Sequence, residues 1–257
     1  MRWLRTLLNV IIALVLVGLV FPRLSPRARG QLTGWWSRKL LSNLNIVPAI
    51  HGAPPDLQQS NLFIVSNHVS WLDVFLISAV HPSRFVAKSE IRDWPVIGWL
   101  CDKAGTLFIR RTRRGDANKM SQHIHQVLAE GWAVGLFPEG TTTDGQRLHK
   151  FHTALFESAL SNQARVVPAA IRYLHGDGEY CGEAAYIDEL SFPESLALII
   201  RQKMIIAYIT FAPAIETSGQ TRREIAEKAE QAIAAILDVD VPRHRKNFIA
   251  AGDPGNL

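Results

Sequence analysis

The stretch Ser66-Asn67-His68-Val69-Ser70-Trp71-Leu72-Asp73 sets an imidazole and a carboxylate five residues apart. Imidazole titrates near pH 6.5, so at neutral pH it can take a proton from a hydroxyl, help typically worth about 10²–10⁴ in rate. A carboxylate beside it would orient the ring and stabilise the imidazolium. On an unbroken helix the two side chains would point about 140° apart. They meet only if His68 lies in the turn ahead of a helix. Ser70 and Asp73 allow this, since S-x-x-[DE] before an apolar run is a helix-start pattern. The same pattern leaves a plain alternative, in which Asp73 only caps that helix.

Three more blocks follow: Gly105-Thr106-Leu107-Phe108-Ile109-Arg110-Arg111, Phe137-Pro138-Glu139-Gly140-Thr141 and Val166-Val167-Pro168-Ala169. With Asn67-His68 and Asp73, and in this order, they resemble the four motifs of the glycerolipid acyltransferase family, the 1-acylglycerol-3-phosphate acyltransferases and their relatives. Phe85-Val86-Ala87-Lys88-Ser89-Glu90, followed by Trp94-Pro95-Val96-Ile97-Gly98, is similar to the bacterial members. The resemblance implies transfer of a fatty acyl group from acyl-CoA or acyl carrier protein to the free hydroxyl of 1-acyl-glycerol-3-phosphate, giving phosphatidic acid. No cofactor is implied beyond the thioester co-substrate. His68 would be the general base and Asp73 its partner. The implied substrate-binding set is Lys88, Gly105, Phe108, Arg111, Glu139, Gly140 and Thr141. Arg111 and Lys88 would meet the acceptor's phosphate, a task suited to guanidinium and ammonium groups, and Glu139 and Gly140 its glycerol part. A thioester is already activated, so no serine or cysteine nucleophile is needed, and the chain has neither a G-x-S-x-G elbow nor a P-loop.

One position departs from the family pattern. Many members acting on lysophosphatidic acid have an arginine after Glu-Gly-Thr, where this chain has Thr142. Two other readings therefore stand beside the first: O-acylation of lyso-ornithine lipid or another lysophospholipid, and a membrane-tethered, non-catalytic lipid-binding protein. No metal site is expected, because Cys101 and Cys181 lack CxxC or Cys/His spacing. His123 and His125 sit two apart on different helix faces, and His149 and His152 fall in what reads as a basic helix start.

To position these motifs the chain offers short apolar runs alternating with helical patterns. NLFIVS precedes SWLDVFLISAV, RFVAK precedes WPVIGWLCDKA, TLFIRR precedes ANKMSQHIHQVLAEG, and AVGLFP precedes KFHTALFESALS; ARVVPAAIRY, MIIAYITF and the helical TRREIAEKAEQAIAAIL close the series. The pattern predicts an α/β fold with a mixed, largely parallel central sheet flanked by helices, and ligands at the strand ends. Residues 1–50 are expected to form a membrane anchor and interfacial helix, and 51–257 the acyltransferase domain. The net charge of +5 is uneven. Residues 1–55 hold seven Lys/Arg and no Asp or Glu, whereas from Asp56 onward 21 face 23. That asymmetry suits an anionic membrane surface and argues against a nucleic-acid partner.

The apolar run from Leu7 to Phe21 is marginal for a full crossing, which needs about 20 residues. Trp36, Leu40, Leu44 and Val47 then recur at helical spacing, as in an interfacial helix or equally one packed on a core. Basic residues are more numerous after the run than before it, which would leave the remainder cytoplasmic. The expected partners are the phospholipid membrane, the lysolipid and the acyl thioester, and the expected location is the cell inner membrane with the catalytic domain on its cytoplasmic side.

Overall fold

The computed structural model describes residues 2–57, 59–109, 114–187 and 189–241, the side chains of 109 and 114–119 excepted. Seven strands form one sheet: β1 (Ile46–Gly52), β2 (Leu62–Ser66), β3 (Ser83–Lys88), β4 (Leu107–Ile109), β5 (Ala133–Leu136), β6 (Arg165–His175) and β7 (Ile205–Phe211). Their spatial order is β1-β7-β6-β2-β5-β3-β4. Five neighbouring pairs are parallel and β6–β7 is antiparallel. The expected mixed, largely parallel sheet is thus present.

The central strands are apolar on both faces, as parallel strands covered by helices must be. Every residue of β2 and β5 is buried. On one face lie α2 (Pro26–Asn43) and α3 (Leu72–Val80), whose Leu40, Leu41, Leu72 and Leu76 share a core with Ile64, Ile171 and Ile209. On the other face α5 (Arg114–Ala129) and α8 (Arg222–Leu237) bring Ile124, Val127, Ile225 and Ile233 against Phe63, Val65 and Val166. Short helices α4 (Ile97–Lys103), α6 (Glu157–Ser161) and α7 (Phe192–Arg201) fill the remaining connections.

Two expectations about the N-terminal region are corrected. First, the helical pattern read through Val47 ends at Asn43, and residues 46–52 form an edge strand paired with β7. Asn45 takes the left-handed conformation (φ 57°) that turns the chain from helix to strand. β1 therefore crosses the boundary expected at residue 50. Second, Leu40 and Leu44 do not face a membrane, since they are 5% and 0% exposed within the core. Trp36, of the same pattern, is half-buried, and its neighbour Trp35 is exposed.

The first helix, α1 (Arg2–Val15), continues through a π turn at Leu16–Val20 and a 3₁₀ turn at Phe21–Arg23. This continuous helical segment of 22 residues is apolar and long enough to cross a membrane. One side of it is docked on the domain. Thr6, Asn9 and Ala13 are buried, the Trp36 indole N–H donates to the Asn9 carbonyl at 3.2 Å, and Arg2 donates to the Ile200 carbonyl at 2.8 Å. The opposite side exposes Leu4, Leu7, Leu8, Ile11, Val15 and Leu19.

Candidate functional site

His68 follows the carboxyl end of β2, and Phe137-Pro138-Glu139-Gly140 follows that of β5, its parallel neighbour. Both segments stand at the sheet edge where open α/β folds place ligands. α3 starts only at Leu72, so His68 lies outside the helix and the angular conflict of a regular helix does not arise. His68 Nδ1 and Asp73 Oδ2 are 2.8 Å apart.

Asp73, fully buried, is saturated with donors. Its Oδ2 also accepts the backbone N–H of Val69 (2.7 Å) and Ser70 (2.9 Å), and its Oδ1 accepts the Tyr173 hydroxyl (2.7 Å). Every other partner of Asp73 donates to it, and in the tautomer that continues this pattern Nδ1 donates to the carboxylate and Nε2 is left as acceptor. The two readings of Asp73 are therefore compatible, since one oxygen both receives helix-start N–H groups and holds the imidazole. The Ser70 hydroxyl does not complete the expected capping box, having no hydrogen-bond partner among the described residues.

The ring is fixed in two further ways. It stacks on Phe137 with centroids 4.0 Å apart at 11°, and Phe137 in turn lies parallel to Phe85 at 5.8 Å. Its backbone is bracketed by Glu139, whose Oε1 accepts the His68 N–H (2.7 Å), and by Thr143, whose N–H donates to the His68 carbonyl (2.8 Å). Glu139 Oε2 accepts the His149 N–H at 2.8 Å. Burial pushes the Glu139 carboxyl up to about 7, against the pull of these two N–H donors. Asn67 is a buried staple: it donates to the Ile171 carbonyl (2.9 Å) and accepts the Ile171 N–H (2.7 Å), tying the end of β2 to β6.

The structure brings His68, Asp73 and Glu139 together, with Glu139 bracing the His68 backbone. Gly140 turns the chain at φ 72°, beside the exposed Thr141. Thr142 donates to the Tyr186 carbonyl. Lys88 is exposed at the end of β3, two strands from β2, so about 10 Å from it at ordinary strand spacing. Gly105 and Phe108 flank the entry and middle of β4, the far edge strand. Gly105 has φ 85°, and a Cβ there would lie 2.8 Å from Arg84 Nε. Arg92 sits over the Phe108 ring at 5.6 Å. Arg111 lies outside the described residues.

Tyr173, Phe137 as a stacking surface, and Thr143 were not singled out from the sequence. Tyr173 reaches Asp73 across 100 residues, and no local spacing announces such a contact. His152 is the N-cap of the 3₁₀ turn at Thr153–Phe156, as a helix start, whereas His149 lies in the irregular stretch before it, its N–H bonded to the Glu139 carboxylate.

Residues 43–172 match the family described as Acyltransferase. The lyso-ornithine lipid O-acyltransferase of Pseudomonas aeruginosa is 37% identical over 209 residues, 81% of this chain and 79% of that protein. The 1-acyl-sn-glycerol-3-phosphate acyltransferase of Neisseria meningitidis is 33% identical over 219 residues, 84% of this chain and 85% of the relative. Among solved structures, the 1-acyl-sn-glycerophosphate acyltransferase of Thermotoga maritima superposes with a TM-score of 0.66 at 20% identity, covering 93% of this chain and 97% of the other.

Proposed function

The chain belongs to the Acyltransferase family, and from that premise we propose that it esterifies the free hydroxyl of 1-acyl-glycerol-3-phosphate with a fatty acyl group from acyl-CoA or acyl carrier protein. The observation that carries this reading is the His68 ring, locked through Nδ1 to a buried, saturated Asp73 while its side chain stays 21% exposed.

The acceptor hydroxyl gives its proton to His68 Nε2 as its oxygen attacks the thioester carbonyl. The imidazolium is stabilised by the Asp73 carboxylate 2.8 Å from Nδ1. When the tetrahedral intermediate collapses, the C–S bond breaks and the thiolate recovers the proton from Nε2. An ester and a free thiol result, and His68 returns to its neutral form. Phe137 keeps the ring plane fixed, so little ordering remains to be done at the moment of reaction.

The acceptor and product are lipids, and the apolar outer side of α1 is suited to one leaflet of a bilayer. With its inner side fixed to the domain by Arg2, Asn9 and Trp36, the helix lies along the protein, in the interface rather than across it. Of the seven cations before residue 56, Arg2 and Arg38 donate to carbonyls of the domain, and the other five would face anionic headgroups on the cytoplasmic side of the inner membrane.

A second acceptor is favoured by one position. Thr142 supplies no cation where one is common among relatives acting on lysophosphatidic acid, and the Pseudomonas relative bears the name of a lyso-ornithine lipid enzyme. The test is transfer of radiolabelled acyl groups from acyl-CoA and from acyl carrier protein to lysophosphatidic acid and lyso-ornithine lipid in parallel. Phosphatidic acid as the main product supports the first acceptor, and preferential labelling of ornithine lipid replaces it with the second. Labelling of neither, by folded protein, favours a lipid-binding role.

A further inference from the structure

The hairpin beyond Tyr173 gathers three metal-ligating side chains that the proposed reaction does not use. β6 ends at His175, turns through Gly176–Gly178, and returns so that Tyr180 bridges Leu174. The return is held by backbone bonds from the His175 N–H to the Glu179 carbonyl (2.7 Å) and from the Cys181 N–H to the Tyr173 carbonyl (3.1 Å). Cys181 and Glu183, six and eight residues after His175, are thereby brought beside it. No short Cys/His spacing announces the set, because the hairpin makes it.

We propose that His175, Cys181 and Glu183 bind a zinc ion. Their donor atoms lie within 4.8 Å of one another, with His175 Nε2 to Glu183 Oε2 at 3.2 Å and Cys181 Sγ to Glu183 Oε2 at 3.7 Å. A tetrahedral zinc ion with bonds of about 2.0 Å to nitrogen and oxygen and about 2.3 Å to sulfur needs donors about 3.3–3.5 Å apart, close to the two pairs measured. The set is one thiolate, one imidazole and one carboxylate, all common zinc ligands. Cys181 closes the site from inside, being fully buried, while His175 and Glu183 remain 26% and 36% exposed, leaving water as the fourth ligand.

Without a cation, the buried thiol faces a carboxylate. Burial, and then the Glu183 charge, push Cys181 up to about 11. A zinc ion there would be balanced by two anionic ligands, the thiolate and the carboxylate. Strand alternation puts His175 on the same face of β6 as Tyr173, whose hydroxyl holds Asp73. The ion would clamp the hairpin that carries Tyr173, a structural task separate from acyl transfer.

The test uses untagged full-length protein in detergent, stripped with a chelator and titrated with Zn²⁺ or Co²⁺. The expected result is one Zn²⁺ per chain by elemental analysis and a raised melting temperature. Co²⁺ should give tetrahedral d–d bands with a thiolate charge-transfer band. Cys181→Ser should remove the charge-transfer band, and His175→Gln should lose stoichiometric uptake. Circular dichroism confirms folding; if Cys181→Ser does not fold, His175→Gln and the wild-type Co²⁺ spectrum decide. Absence of stoichiometric uptake by wild type, a Co²⁺ spectrum without thiolate character, or equal uptake by His175→Gln would overturn the site and leave a His175–Glu183 ion pair. None of these readouts depends on acyl transfer.

Discussion

Replacing Asp73 with Asn separates the charge of this residue from its shape. Asp73 Oδ2 accepts three donors, from His68, Val69 and Ser70, so the asparagine carbonyl must take that side. Its NH₂ then points at Tyr173, whose hydroxyl can rotate and accept instead of donate. The helix start survives, and the fold should lose only about 1–3 kcal/mol from bonds no longer charge-assisted. Catalysis loses much more. A carboxylate 2.8 Å from an imidazolium is worth about 6 kcal/mol at an effective dielectric constant of about 20. With the His68 side chain 21% exposed, water screens part of this, leaving about 3–5 kcal/mol, or roughly 10²–10⁴ in kcat. Acyl transfer by purified Asp73→Asn, with thermal melting on the same sample, checks this. A folded variant within about tenfold of wild type would refute the reasoning and reduce Asp73 to a helix cap. Asp73→Ala, which leaves the Val69 and Ser70 donors unpaired, should melt lower than Asp73→Asn.

Tyr173→Phe removes one donor from a buried carboxylate and should cost about 1.5–3 kcal/mol, read as a lower denaturation midpoint, with a smaller loss of kcat than Asp73→Asn; an unchanged midpoint would show that water replaces the hydroxyl. Gly135→Ala would place a Cβ 2.3 Å from Phe85 Cε1, forcing the rings beneath His68 to move. We expect destabilisation of about 1–3 kcal/mol with reduced turnover, and wild-type melting would contradict it. Glu139 gives a pH test. Its carboxyl rises from 4.5 to about 7 on folding, so between these pH values the native state holds a proton the unfolded chain has released. Its contribution is complete below about pH 4.5 and is lost as pH rises to about 7, on the order of 3 kcal/mol in all. The melting temperature of Glu139→Gln should therefore rise relative to wild type between pH 5 and pH 8; a constant difference would show that the carboxyl titrates alike in both states.

The sheet was legible where period and burial agree. NLFIVS, AVGLFP and ARVVPAAIRY are apolar runs of strand length ending in turn signals, and each is a central strand. The His68–Asp73 pair was legible because a short spacing and a helix-start pattern combine within eight residues. β1 was not, since Ile46 and Val47 continue the apolar spacing of the preceding helix and only the turn at Asn45 separates them. α7 shows the opposite case: Ser191 and Glu194 form a full capping box, yet the helix lies beyond the motifs that guided the reading. The docking of α1 rests on Arg2, Asn9 and Trp36 meeting partners remote in sequence, and its apolar composition alone is equally that of a membrane span. Tyr173 and the His175–Cys181–Glu183 group belong to the same class, being contacts made by strand pairing and hairpin return.

The central claim, that His68 takes the proton from the acceptor hydroxyl, is tested most directly by single-turnover acyl transfer with His68→Ala. With enzyme in excess over labelled thioester and lysolipid saturating, the account predicts a rate lower by about 10²–10⁴ than wild type at neutral pH, with circular dichroism and membrane association unchanged. A folded His68→Ala protein transferring its acyl group within about tenfold of the wild-type rate would contradict it.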